Sequence, residues 1–165
     1  MTAPTYKAGQ YPQGADVEWT VDSINNLKAA GWTDYSAPSM TITGSTTSPT
    51  LGNSTLQAFY RQAVGTDVID FVFKLTIGST FSAGSGLYTF SMPIAMLAPQ
   101  LNIGVCNWLE TGVAYYSVAL LPISANELIM ARDGATGALT HTGPSGAGWT
   151  AGDILSGQIR YAVST

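Results

Sequence analysis

The segment Asp67–Ile77, DVIDFVFKLTI, sets Ile69, Phe71, Phe73, Leu75 and Ile77 against Val68, Asp70, Val72, Lys74 and Thr76. A period of two with one wholly apolar side is the pattern of a half-buried antiparallel strand. Its length suits the middle of a sheet. The last apolar stretch, Ile154–Val163, repeats the pattern: Leu155, Ile159, Tyr161 and Val163 share one side, opposite Ser156, Gln158, Arg160 and Ala162. Between and before these two, Met40–Thr43, Thr55–Gln62, Leu87–Met92, Leu101–Leu109, Val113–Leu121 and Glu127–Arg132 read as further strands, separated by Gly, Pro, Asn and Ser. The pair Thr111–Gly112 is short enough for a hairpin turn. About eight strands without crossover helices predict an all-β chain, a jelly-roll-like antiparallel β-sandwich.

One helix is expected, over Thr20–Ala30. Thr20 or Asp22 caps its start, Val21, Ile24 and Leu27 fall on one face, and Gly31 stands where a left-handed terminator belongs. Three turns are too few to persist alone, so the apolar stripe needs a surface to pack on. Ahead of it, residues 1–19 hold Pro4, Gly9, Pro12 and Gly14 with Tyr6, Tyr11 and Trp19 between them and follow no strand or helix period. Such an arm is either a docking segment or a frayed terminus. The expected division is an arm with a short helix over 1–30 and a β-sandwich domain over 31–165. Asp133–Gly148, rich in Gly, Thr and Ser, is expected to be an exposed loop.

Charge is scarce. Only 10% of the 165 residues are charged, the net charge is −4, and the six Lys and Arg are scattered. Without a basic patch there is nothing to neutralise phosphates, so nucleic-acid binding is not expected. One cysteine and one histidine supply neither an internal disulfide nor a zinc site. No apolar run is long enough to span a bilayer as a helix, and Met1–Gln10 lacks the apolar core of a signal peptide, which predicts folding in a cytosol. A surface so poor in charge also suggests surface covered in an assembly.

Catalytic chemistry finds few carriers. Asp67 and Asp70 have odd spacing and cannot pair on one face. Glu110 and Asp133, at strand ends, are expected to face water, and His141 lies in the glycine-rich loop. No nucleophile elbow, phosphate-binding loop or dinucleotide fingerprint is present. Cys106, within Ile103-Gly104-Val105-Cys106, is expected to be a buried small hydrophobe with no base beside it. Trp108, Tyr115 and Tyr116 are candidate sugar-stacking aromatics, although adjacent tyrosines on a strand point to opposite faces. Trp149, ahead of the turn Ala151-Gly152-Asp153, is expected to pack in the core or against a subunit. No enzyme activity and no cofactor are expected.

A succession of short segments carries a resemblance: Gly31-Trp32-Thr33 with Tyr35 and Pro38; Pro49-Thr50-Leu51-Gly52-Asn53 leading to Tyr60; Gly78-Ser79-Thr80 followed by Gly84, Gly86, Tyr88, Phe90 and Pro93; then Trp149, Ala151-Gly152-Asp153, Leu155 and Tyr161. In order and spacing, over residues 31–163, it resembles a small β domain of structural proteins of tailed phages, especially those infecting actinobacteria. There the domain occurs in tail-fibre, minor tail and capsid-surface proteins. The chain departs from that pattern where relatives often have a glycine near Ala58 and a lysine near Thr66, and in the aromatic stretch Asn107–Tyr116.

The resemblance implies a non-enzymatic virion protein, a homotrimer made in the host cytoplasm and displayed on the virion surface. Two placements follow. The first is a capsid decoration or head-fibre protein attached to the major capsid protein, or another virion protein, by its arm and helix; Tyr6, Tyr11, Trp19, Ile24 and Leu27 are the anchoring candidates, being large apolar groups in a segment without a core. The alternative is a tail-tip or tail-fibre receptor-binding head that recognises host surface glycan through Trp108, Tyr115 and Tyr116.

Overall fold

A computed structural model describes residues 21–97, 103–132 and 148–163. Strand β4, Val68–Thr76, follows its sequence period: Ile69, Phe71, Phe73 and Leu75 are buried, and the residues between them are half-buried. It lies between β3, Thr55–Gln62, and β9, Ile154–Ala162, antiparallel to both. The remaining strands are β1 (Thr33–Asp34), β2 (Ile42–Gly44), β5 (Tyr88–Ser91), β6 (Gly104–Glu110), β7 (Ala114–Pro122) and β8 (Glu127–Arg132). All nine join in one sheet, ordered β1-β3-β4-β9-β6-β7-β8-β5-β2, with every pairing antiparallel.

Among the described residues the chain thus forms an all-β fold with one short helix, and its two layers come from a single sheet curling over. Phe73 on β4 stacks on Phe90 of β5, five places away in strand order, with ring centroids 6.4 Å apart. The hydroxyl of Tyr35, beside β1, reaches Ser91 and the carbonyl of Met92 at the other end of the sheet, 3.0 Å to each. Tyr161 on β9 donates to the carbonyl of Ile94 at 3.0 Å. The enclosed core takes Leu56, the inward row of β4, Tyr88, Phe90, Trp108, Val118, Leu120, Leu128, Met130, Leu155 and Ile159. Gly157 is required between two inward side chains of the strands that flank β9, Phe73 on β4 and Cys106 on β6, with which it is in register. A Cβ there would lie 2.6 Å from the Phe73 ring and 2.9 Å from Cβ of Cys106.

The helix α1 spans Val21–Ala29. Gly31, with φ of 80°, ends it. The N–H groups of Gly31 and Trp32 return to the carbonyls of Lys28 and Leu27, both at 3.1 Å, which is the paired closure of a Schellman turn. Beyond it the chain enters β1, which the alternating pattern did not predict; two residues are too few for a period, and the strand exists through its pairing with Phe59 and Tyr60. The strand expected over Met40–Thr43 is displaced to Ile42–Gly44, and that expected from Leu101 begins at Gly104.

Two loops explain much of the hydroxyl content, 35 Ser and Thr in all. Residues 45–54 and 78–87 lie along one another through the bridges Thr47↔Ser85 and Thr50↔Ser82. Side chains supply bonds where the ladder stops: Leu87 N–H donates to Ser45 Oγ (2.9 Å), Asn53 N–H to Thr80 Oγ1 (2.8 Å), Thr80 N–H to Asn53 Oδ1 (2.9 Å) and Gly78 N–H to Ser54 Oγ (2.9 Å). Short hydroxyl and amide side chains substitute for backbone partners in this way.

Candidate functional site

Among the described residues the ionisable groups that converge do so as ion pairs, such as Asp70 with Arg61 and Arg160. Among the described residues no three His, Cys, Asp or Glu side chains gather as a metal site would require. No helix there is long and apolar enough to cross a membrane. Cys106 is buried beside the sulfur of Met130 at 3.7 Å, and burial pushes its thiol far above the ordinary range, opposing the thiolate a nucleophile needs. Burial likewise pushes the Tyr88 phenol up to about 12.

Two acidic residues are buried, and one of them, Glu110, was expected at its strand end to face water. Glu110 is buried, because it follows Cys106 and Trp108 on the inward row of β6. Asp153 is 0% exposed. Its carboxylate accepts from the N–H groups of Thr111 (2.9 Å) and Thr150 (2.8 Å) and from the Thr150 hydroxyl (3.1 Å). Its backbone carbonyl accepts from Ile77 N–H at 2.9 Å. Asp153 therefore pins the β6–β7 turn, the entry to β9 and the exit of β4 together. Its lone pairs are committed to those bonds, so its work is structural.

Of the sugar-stacking candidates, Trp108 and Tyr116 are brought side by side on the inner face and Tyr115 lies on the other side of the sheet. Trp108 is 0% exposed and sits edge-on to Trp149, with centroids 3.8 Å apart; Tyr88 and Phe81 complete an aromatic cluster against Trp149 at 5.3 and 5.8 Å. Trp108 therefore offers no face to a ligand, which corrects its candidacy. Tyr116, directly across from Trp108, packs part-buried against the core. Tyr115 alone of the three is outside, 60% exposed. The alternation of Cys106, Trp108 and Glu110 with exposed Val105 and Asn107 was the signal that assigns Trp108 to the interior.

Of the anchoring candidates, Tyr6, Tyr11 and Trp19 lie outside the described residues, as do His141 and the segment 133–147. Ile24 falls within α1, where only its backbone is described. Leu27 is half-buried, and its carbonyl closes the helix end.

What the sheet does present is two contrasting outer surfaces. Across β3, β4 and β9, Arg61, Asp70 and Arg160 are cross-strand neighbours. Asp70 accepts from both guanidinium groups, at 3.3 and 3.4 Å, and Arg61 stacks on Trp32 at 4.7 Å. Further along, across β9, β6, β7 and β8, the outward positions lying between Arg160 of β9 and Glu127 of β8 are Ile154, Ser156, Gln158; Val105, Asn107, Leu109; Tyr115, Ser117, Ala119, Leu121; and Ile129. None carries a charge. The β7 row continues beyond both ends of the strand into Val113 and Ile123, 66% and 49% exposed.

No family model, curated protein or solved structure matches the chain.

Proposed function

We propose that this chain is a non-enzymatic structural protein of a phage particle: a homotrimeric capsid decoration or head-fibre protein, displayed on its β domain and attached to the major capsid protein, or another virion protein, through residues 1–30. The observation that carries the reading is how the polar groups are used. Asp153, the hydroxyl-rich loops and the Arg61–Asp70–Arg160 triad are engaged with the protein itself, and what remains outward is a broad uncharged sheet face. A domain of this kind contributes contact and mechanical support and no bond chemistry. A ligand that binds only the mature shell stabilises it by mass action, about 2.7 kcal/mol at a hundredfold excess over Kd.

The test is placement on the intact particle. Density or antibody label for this chain on the capsid exterior is expected; its absence there refutes the reading. The full chain should attach to particles that lack it, and a chain shortened by residues 1–30, with an unchanged melting temperature, should not. Full attachment of the shortened chain would transfer the anchor to the β domain.

The tail-tip alternative keeps one accessible aromatic, Tyr115. Glycan-array binding by the purified protein, lost in Tyr115→Ala, would favour it.

A further inference from the structure

The outward row of β7 is the most unusual surface on the molecule. Val113, Tyr115, Ser117, Ala119, Leu121 and Ile123 alternate along it without a single charge. Tyr115 and Val113 are well over half exposed, and on the next strand Val105 is 58% exposed. Leu109, Leu121, Ile129 and Ile154 fill the spaces between as half-buried groups. Charges reappear at the margins: at Glu127 where β8 starts, at Arg160 near the end of β9, and at Lys74, which pairs with Ser156 from β4. At ~3.4 Å per residue the row is ~34 Å long, and four strands at ~4.8 Å spacing make it ~19 Å wide. The footprint is at most about 600 Å², approaching the ~800 Å² that each partner gives to an interface of standard size. The rectangle includes the polar Asn107, Ser117, Ser156 and Gln158, and its apolar part is comparable with the largest patches on monomeric proteins, which are often functional.

We propose that this face, β9-β6-β7-β8 centred on Tyr115, is where copies of this chain pack against one another. The inference rests on the reading of the chain as an assembling structural protein and names the surface that does the assembling. Charge decides the occupant. Each copy carries −4, so copies repel as they approach. A face free of charge is the surface on which identical acidic chains meet without that opposition. A foreign protein attracted by the chain's acidity would engage acidic side chains, and this face has none at its centre. A glycan would need a groove with convergent polar groups, and a sheet face with one exposed ring offers neither. Edge-to-edge addition is disfavoured as well, because the terminal strands β1 and β2 have only two and three residues.

The test is sedimentation equilibrium on the full chain, wild type and three single variants: Val105→Lys and Tyr115→Lys within the face, and Val64→Lys at the β3–β4 hairpin outside it. Val64 is fully exposed, so its lysine controls for added charge. Wild type and Val64→Lys should associate alike. Val105→Lys and Tyr115→Lys should raise the dissociation constant at least tenfold, with circular dichroism and melting temperature of the monomer unchanged. Should one variant fail to fold, the other still decides. Unaltered association in both overturns the face while leaving the oligomer standing. A wild-type chain that remains monomeric into the millimolar range overturns self-association itself. Loss of capsid attachment without loss of association would make the face a capsid contact and overturn its role between copies.

Discussion

The outer surfaces of the two ends of the sheet are built on the same strand geometry and treated in opposite ways. Over β3, β4 and β9, one carboxylate holds two guanidinium groups in a line perpendicular to the strands, and Trp32 covers one of them. Beneath, Phe59 is buried although it lies on the outward side of β3. That end is finished within one chain. Over β6, β7 and β8, no ion pair crosses the strands among the described residues, and Val105, Val113, Tyr115 and Ile123 stand in water. A surface that satisfies itself gains nothing from a partner, whereas one left apolar gains by being covered. The difference teaches that, among the described residues, charge is not spread evenly over the outside: Arg61, Asp70 and Arg160 gather at one end, and the outward positions of β6 and β7 carry none.

The contrast is confined to the outside, and the inner face should be common to both ends. Phe73 touches Phe71 on its own strand and Phe90 across the core, and its ring lies beneath Gly157. Phe73→Ala should therefore cost about 3–5 kcal/mol. Chemical denaturation followed by both tryptophan fluorescence and far-UV circular dichroism should show one coincident transition. Two separated transitions would mean that the ends unfold as independent units. Next in size is Asp153→Ala, which removes the acceptor of three hydrogen bonds at once; a loss of roughly 2–3 kcal/mol is expected by the same measurement. A change below 0.5 kcal/mol would mean that water replaces the carboxylate without penalty.

Much of this arrangement is legible in the sequence, and the gaps have physical causes. Strands β3 and β8 lie at the boundaries read from the sequence, because breakers bracket them and each face has one role. The alternation of β4 and β9 likewise assigns their inward rows. Adjacency on β7 already separates Tyr115 from Tyr116. Asp153 and Glu110 were not legible as buried groups. An acidic residue in a turn looks the same whether it meets water or three donors, and only the fold brings Thr111 and Thr150 to it. The uncharged row from Val113 to Ile123 is present in the sequence as an alternation, but its significance depends on neighbours. Val105, Ile129 and Ile154 come beside it through pairings that no local pattern reveals.

A matched pair of substitutions sharpens the contrast at a smaller scale. Asp70→Asn leaves Arg61 and Arg160 facing one another, and about 1 kcal/mol should be lost, shrinking as salt is added. Asn107→Asp places a carboxylate in the middle of the neutral face. Monomer stability should stay within ~0.5 kcal/mol, since Asn107 is exposed, while self-association weakens. Equal effects of both variants on folding, with none on association, would erase the distinction between the two ends.

The smallest effect is expected where the charged end meets the helix. Asp34 on β1 accepts from the Ser36 N–H at 2.9 Å and pairs with Lys28 of α1 at 3.1 Å. Burial pulls its carboxyl upward, but the Ser36 bonds and the Lys28 ammonium outweigh it, so the group ends below the ordinary carboxylate value. A depressed folded value means that the unfolded chain takes up the proton first. The stabilisation is therefore complete above about pH 4, the unfolded range, and disappears as pH falls through the lower folded value. Both side chains are close to half exposed, which screens the pair and limits its contribution to under about 0.5 kcal/mol. Melting temperatures of wild type and Asp34→Asn should differ slightly at pH 7, and the difference should close below pH 3. A difference that persists undiminished at pH 2.5 would show that Asp34 acts through the Ser36 turn geometry and not through its charge.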